Sequence, residues 1–365
     1  MAKKDLPTIC IAGFHSCIRA YKIGLALKSK GYRVRWMANM TFPSHVSFHH
    51  FDGIYAYQLG TSPAAHNVAC DPKVYFDSFK KSVELAAKDC DLFHWYNEPD
   101  WGVREIKAVC DNPVVYDLHD LRSDREFTVT EDEEDAFNQC DAILAQGPVY
   151  KEMCAKRRPD LAEQGKISYI LPGVNREMWP SLGKRMVNVG NTKIGGIVYE
   201  GGLTSNPANG NELPYRWWAP FMSELTKRNL RVTCHTSSGG DYSAYTKAGV
   251  RVISTLPFEL MLHHLTMYDW GLVGNAINHP AFDAAMPNKL FEYIAAGIPV
   301  MVYDSKLVAD FVTKEGIGVV VNSPDDVVKA FPTCREYEKK VLKAREKWCM
   351  ENQIGIYEKL INKLV

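Results

Sequence analysis

The segment Pro287-Asn288-Lys289-Leu290-Phe291-Glu292-Tyr293-Ile294-Ala295-Ala296-Gly297-Ile298-Pro299-Val300 decides how this chain folds. Proline suits a helix start, where a missing N–H costs nothing. Leu290 with Ile294, and Phe291 with Ala295, repeat at helical spacing, and Gly297 supplies a left-handed cap. The apolar run Ile298–Tyr303 reads as a strand following at once. Lys289 and Glu292 share one side of that helix near its N-terminus. Unpaired N–H groups and the macrodipole favour an anion there. A cation and a carboxylate at such a place suit a ligand with both phosphate and sugar hydroxyls. Without a ligand, the string is an ordinary helix–strand unit carrying a surface Lys–Glu pair.

The alternation extends in both directions. Strands are expected at Thr8–Ala12, Tyr32–Ala38, Ile54–Leu59, Asp91–Tyr96, Pro113–Leu118, Ala142–Ala145 and Ile167–Leu171. Helices fall at Ser16–Lys30, Pro72–Lys88, Trp101–Cys110 and Val149–Arg157. The pattern lapses from Pro180 to Lys193, a linker by composition. It restarts with strands at Ile194–Tyr199, Arg231–Thr236, Val250–Ser254, Trp270–Val273 and Val319–Asn322, and helices at Pro214–Arg228 and Pro257–Leu265. A charged helix or pair of helices covers about Thr333 to Val365. Such alternation implies parallel sheets covered on both faces.

A chain of 365 residues exceeds one hydrophobic core, so two domains are expected. With 46% hydrophobic and 24% charged residues it reads as a soluble globular enzyme. Lys+Arg and Asp+Glu both total 43, so nothing pulls the whole molecule to nucleic acid or an anionic membrane. The local cluster Lys156-Arg157-Arg158 reads as solvating a helix end. Ten cysteines without a C-x-x-C pair suggest reduced cytosol and a cytoplasmic location. Met-Ala-Lys-Lys-Asp-Leu-Pro lacks the apolar stretch of a signal peptide. No apolar run approaches the ~20 residues that span a bilayer, which leaves peripheral membrane contact open.

The opening segment closely resembles the C-terminal-domain motif of GT-B fold glycosyltransferases in the large retaining family 4. That motif reads proline, any residue, lysine, two apolar residues, then Glu-Tyr/Ala-x-Ala-x-Gly-x-Pro-Val. The resemblance implies an α/β, GT-B architecture of two Rossmann-like parallel-sheet domains facing a central cleft. The expected parts are an acceptor-side domain (1–178), a linker (179–193) and a nucleotide-sugar-binding domain (194–334). A helical segment (335–365) would cross back to the N-terminal domain, a role that Trp348 followed by Glu351-Asn352-Gln353 fits.

Ligands bind beyond the carboxyl ends of parallel strands, so each strand-to-helix loop is a candidate. Gly13-Phe14-His15-Ser16 lacks the G-x-G-x-x-G spacing of a dinucleotide site, which disfavours an NAD enzyme. The resemblance instead sets Gly13 and His15 against the donor's sugar-phosphate. Tyr116-Asp117-Leu118-His119-Asp120-Leu121 resembles the family's V-Y-D-x-H-D/E-L segment. It implies that His119 contributes a hydrogen bond to the donor sugar and is no nucleophile; Asp117 and Asp120 flank it, or cap the following segment. His94-Trp95-Tyr96-Asn97-Glu98-Pro99 matches the acceptor-side loop, so Asn97, Glu98 and Asp120 are the expected acceptor contacts.

In the second half, Glu200-Gly201-Gly202-Leu203-Thr204 resembles the glycine loop that follows the domain's first strand. The family places an arginine there and a lysine shortly after, to grip the diphosphate. Here Leu203 takes the arginine's place and no lysine follows before Arg216. Loss of one such donor typically costs ~3 kcal/mol of transition-state stabilisation. Lys289, the amides of Gly201 and Gly202 and the motif-helix N-terminus, with Asn288 and Leu290, would share the task, with Arg216 a further candidate. Ser237-Ser238-Gly239-Gly240 and Thr255-Leu256-Pro257 would border the nucleobase, or form ordinary turns; Ser238, Gly239 and Leu256 are the donor candidates. Of the family's two glutamates eight positions apart, Glu292 matches the ribose-binding one. The other position is Ala284, with Asp283 beside it as a candidate substitute.

Function follows as expectation: a hexosyl- or pentosyltransferase acting with retention on a nucleotide sugar, UDP- or GDP-linked, with His119, Lys289 and Glu292 at its centre. No cofactor and no essential metal are expected; His45, His49 and His50 lack a paired cluster. His263-His264 read as packing or surface residues, and Glu131-Asp132-Glu133-Glu134-Asp135 as a helix start. Acceptors of the fold include glycans, lipid-linked sugars, small molecules and modified DNA bases, and neutral charge argues against duplex nucleic acid as main partner. The alternatives are a GT-B sugar-nucleotide epimerase and a silent nucleotide-sugar-binding module. Oligomeric state is not legible.

Overall fold

The computed structural model describes residues 6–14, 16–39, 46–57, 72–97, 99–182, 195–204, 214–236, 240–254, 256–277 and 283–365. The chain forms two compact units: Met1–Pro172 with Met350–Val365, and Gly173–Cys349. Most of the expected linker, residues 183–193, lies outside the described residues.

Seven strands build the first unit: β1 (Thr8–Ala12), β2 (Arg33–Asn39), β3 (Ile54–Tyr57), β4 (Leu92–Tyr96), β5 (Val114–Leu118), β6 (Ala142–Ala145) and β7 (Ile167–Tyr169). They pair in parallel in the order β3-β2-β1-β4-β5-β6-β7. Every residue of β1, β4, β5 and β6 is buried, as parallel strands covered on both faces require. Strand order reverses between β1 and β4, which opens a crevice beyond their carboxyl ends.

The last part of the chain completes this unit with the helices Met350–Gln353 and Gly355–Ile361. Gln353 Oε1 accepts from the Leu171 N–H at 3.1 Å, and the Tyr357 hydroxyl lies 2.8 Å from His94 Nδ1. Trp348 stays in the second unit, its ring 5.4 Å from that of Phe311.

The second unit holds β8 (Ile197–Glu200), β9 (Val232–His235), β10 (Arg251–Ile253), β11 (Trp270–Gly274), β12 (Val300–Tyr303) and β13 (Gly318–Val320). Their parallel order is β10-β9-β8-β11-β12-β13, reversing between β8 and β11. Instead of one helix over Pro214–Arg228 there is a 3-10 turn, Pro214–Arg216, and then a helix, Ala219–Lys227. Pro220 explains the break: with no N–H it fits a helix's first turn but cannot continue a helix from the preceding residues. Two helices beyond those expected, Lys306–Glu315 and Pro324–Ala330, flank β13 in the chain.

The decisive segment folds as a helix, Asn288–Ala295, with Pro287 just outside its first turn and Gly297 at φ +73° ending it. Tyr293 fixes where this helix sits. A methyl group on Gly271 of β11 would lie 2.3 Å from the Tyr293 ring, so only glycine lets the helix come this close. The phenol reaches the backbone of β8 and β11, accepting from the Glu200 N–H at 2.9 Å and donating to Leu272 O at 3.1 Å. We expect Tyr293→Phe to destabilise the protein by about 1–3 kcal/mol through those orphaned backbone groups. Gly271→Ala should cost a similar ~1–3 kcal/mol through overpacking. Urea unfolding measures both, and wild-type midpoints would remove Tyr293 as the anchor.

Candidate active site

Gly201 follows β8 at φ +127°, a backbone conformation few side chains tolerate, and its N–H donates to His235 O at 2.9 Å. A Cβ built on it would lie 2.8 Å from Lys289 Nζ, and one on Gly202 2.7 Å from Arg216 Nη1. One cation thus lies against each glycine, at the carboxyl end of β8 where the strand order reverses.

Each cation is held by its surroundings. Lys289 Nζ donates to the Tyr199 hydroxyl at 3.1 Å and stands 4.1 Å over that ring. Tyr199 in turn donates to Gly202 O at 3.3 Å. Arg216 closes the 3-10 turn, its carbonyl accepting from the N–H groups of Thr204 and Trp218, both at 3.1 Å. Tyr215 O accepts from Ala276 N at 2.9 Å, docking the turn just past β11. Leu203, in the place where the resemblance implies an arginine, is 8% exposed and belongs to the apolar core. The position cannot present a charge; Arg216 brings one to the same loop from another element.

Glu292 lies on the motif helix at 2% exposure. Asn288 opens that helix half-buried, and Leu290 is fully buried, its N–H donating to Pro287 O at 3.2 Å. Asp283 is exposed beside buried Ala284, and Leu256 is half-buried ahead of the helix Phe258–Leu265. Past β9 and β10 an open hollow of about 420 Å³ is lined by Thr236, Tyr242, Ser243, Thr246 and Ser254 around Val252. Its polar side chains are all uncharged hydroxyls. Ser238 and Gly239, expected beside it, lie outside the described residues, as do His15 and Glu98.

In the first unit a second cluster forms at the carboxyl ends of β1, β4 and β5. Gly13 leaves room for Tyr96, whose ring atoms lie 2.1 Å from where a Cβ would stand. The His119 ring stacks on Tyr96 with centroids 6.3 Å apart and planes 8° from parallel. Its Nε2 lies 3.1 Å from Asp117 Oδ2, and both ring nitrogens lie within 4 Å of Cys17 Sγ, at 3.7 and 3.9 Å. Asn97 ties the loops together: its Oδ1 accepts from His119 N and its Nδ2 donates to Asp120 O, both at 2.7 Å.

Asp117 is fully buried and forks with Arg19, which also donates to Ile170 O at 2.8 Å. Burial raises the Asp117 carboxyl, but Arg19 and then His119 outweigh it and hold it well below the usual carboxylate range. Burial likewise lowers His119, and Cys17 and Asp117 overcome this to push it up to about 10. His119 is therefore a cation at neutral pH and a poor base.

Sequence reasoning missed Tyr199, Cys17 and Arg19. For Tyr199 the available signal is its place next to the Glu200-Gly201-Gly202 loop. Arg19 leaves no such signal, since a basic residue on a surface-like helix pattern looks solvated. Removing its charge with Arg19→Met should leave Asp117 buried without its guanidinium partner. That costs about 3–5 kcal/mol, readable by chemical denaturation, and a loss under ~1 kcal/mol would show that the pair is dispensable.

Residues 218–360 match the family model described as Glucosyltransferase 3-like, C-terminal domain. Among curated proteins no sequence matches the chain. Solved structures do. Anabaena HepE in complex with UDP-glucose superposes with a TM-score of 0.65 at 13% identity, covering 98% of this chain and 100% of that one. An α-glucosyltransferase in complex with UDP and a 13-mer DNA containing an HMU base gives 0.66 at 13% identity, covering 98% and 99%. WaaG, a glycosyltransferase involved in lipopolysaccharide biosynthesis, gives 0.63 at 13% identity, covering 99% and 100%. The chain thus has the GT-B fold of two Rossmann-like parallel-sheet domains, and the likeness of residues 218–360 to a glycosyltransferase domain marks it as a transferase enzyme.

Proposed function

We propose that the chain moves a hexosyl or pentosyl group from a nucleoside diphosphate sugar to an acceptor hydroxyl, with retention and without an essential metal. The observation that carries this reading is the pair of cations, Lys289 and Arg216, set against the two glycines after β8. A diphosphate laid along Gly201-Gly202 would meet one positive charge at each residue. Leaving-group charge that develops on the β-phosphate is then stabilised by groups already in place, which lowers the barrier without reorganisation. The same two cations supply the neutralisation that a divalent ion provides elsewhere, so no ion is required.

The remaining roles follow the chemistry of the groups. Glu292 accepts from the ribose hydroxyls. His119, charged and held against Tyr96, donates to the transferred sugar and does not take a proton. The acceptor's proton passes to the departing phosphate oxygen on the same face of the sugar, which gives retention without paired carboxylates at glycosidase spacing. The hydroxyl-lined hollow past β9 and β10 suits a base read by neutral hydrogen bonds. UDP is the first candidate, as in the complexes of HepE and the α-glucosyltransferase. A modified DNA base and a lipopolysaccharide precursor are the acceptor classes that the similar proteins suggest.

A panel of UDP-sugars incubated with such acceptors, followed by NMR of the product anomer, tests the reading directly. Lys289→Ala and Arg216→Ala should each lower kcat about 100-fold, the loss typical of one preorganised donor to a developing anion. Excess EDTA should leave turnover unchanged. Wild-type rates in both variants would dismiss the cation pair, and loss of activity with EDTA that is restored by added metal would dismiss metal independence.

A further inference from the structure

The contact between Cys17 and His119 belongs to none of the roles above. Cys17 is the residue just before the helix Ile18–Ser29, with extended backbone and a side chain that makes no capping hydrogen bond. Its sulfur faces the His119 ring instead, within 4 Å of both nitrogens. Tyr96 lies flat against the ring, and Asp117 takes Nε2. Behind Asp117 stand Arg19 from the same helix and His94 from β4, the latter joined to Tyr357. Of these groups, Cys17 is the one that ties the imidazole directly to the first helix.

We propose that Cys17 is a positioning residue for His119, its sulfur and the Asp117 carboxylate holding the imidazole from two directions in one orientation on Tyr96. Two observations beyond the distances support it. The sulfur sits at a helix N-terminus, where partial positive charge favours thiolate. Burial raises the Cys17 thiol, yet the facing His119 outweighs that, and the net direction is down. Thiol and imidazole therefore each favour the other's charged form. The ring is kept protonated as well as aligned. A serine keeps the size of the side chain, but its hydroxyl does not ionise in this range and would not hold the charge.

This inference rests on the transferase reading for its kinetic consequence but not for its physical one. NMR titration of histidine ring resonances, assigned through His119→Gln, follows the His119 proton directly. In Cys17→Ala the His119 midpoint should fall toward the ordinary histidine range, with Cys17→Ser falling less. The ultraviolet absorbance of the Cys17 thiolate, appearing at lower pH than for an ordinary cysteine, should vanish in both. With donor and acceptor in hand, kcat of Cys17→Ala should drop about tenfold with little change in donor KM, the pattern of an interaction felt in the transition state. An unchanged His119 titration in Cys17→Ala overturns the proposal, whatever the kinetics do. If Cys17→Ala does not fold, the near-isosteric Cys17→Ser is titrated in its place, and an unmoved His119 midpoint there overturns the proposal equally. A shifted titration in a chain that transfers no sugar would uphold the positioning and defeat the transferase reading instead.

Discussion

One hydrogen-bonded phenol governs the second unit. Tyr293 lies against Gly271 and directs its hydroxyl to backbone groups of β8 and β11, the two strands between which the order reverses. Buried backbone groups must find partners or remain unsatisfied at a cost. Here the partner comes from the helix that also carries Lys289 and Glu292. The distance from helix to sheet is therefore set by a polar contact of narrow geometry, which apolar packing alone would define more loosely. Lys289 can reach Gly201 because the helix is held at that height.

The two units handle charge in opposite ways. In the second, Lys289 and Arg216 stand over backbone glycines, their positions fixed by Tyr199 and by a 3-10 turn. In the first, Asp117 is sunk beneath His119 and neutralised from below by Arg19. Burying that carboxylate is costly, and Coulomb attraction in a low-dielectric surrounding offsets the cost only with good geometry. The gain is a histidine whose charged form is favoured by the groups around it.

Much of this is legible in the residues. Alternating apolar runs place most of the strands within a residue or two, and the motif helix ends where Gly297 caps it. Strand order cannot be read, because it depends on tertiary pairing and not on local pattern. The helix expected over Pro214–Arg228 breaks just ahead of Pro220, a local signal that overrides the apolar spacing around it. Leu203 stands out in the sequence as a departure, yet only the fold shows that its side chain belongs to the core while Arg216 reaches the loop. Cys17 and Arg19 lie about a hundred residues from His119 and Asp117, and no spacing rule links such pairs.

The placement of Met350–Val365 in the first unit bears on how the molecule is made. Leu171 N–H and His94 both find their partners in that stretch. During synthesis the first sheet emerges early, but Leu171 N–H and His94 Nδ1 lack these partners until residues 350–365 have left the ribosome. The nascent first half must then wait, partly solvated, while the second half folds in between. Such late long-range closure slows folding and prolongs exposure of sticky intermediates, a burden that falls on chaperones and not on the finished enzyme.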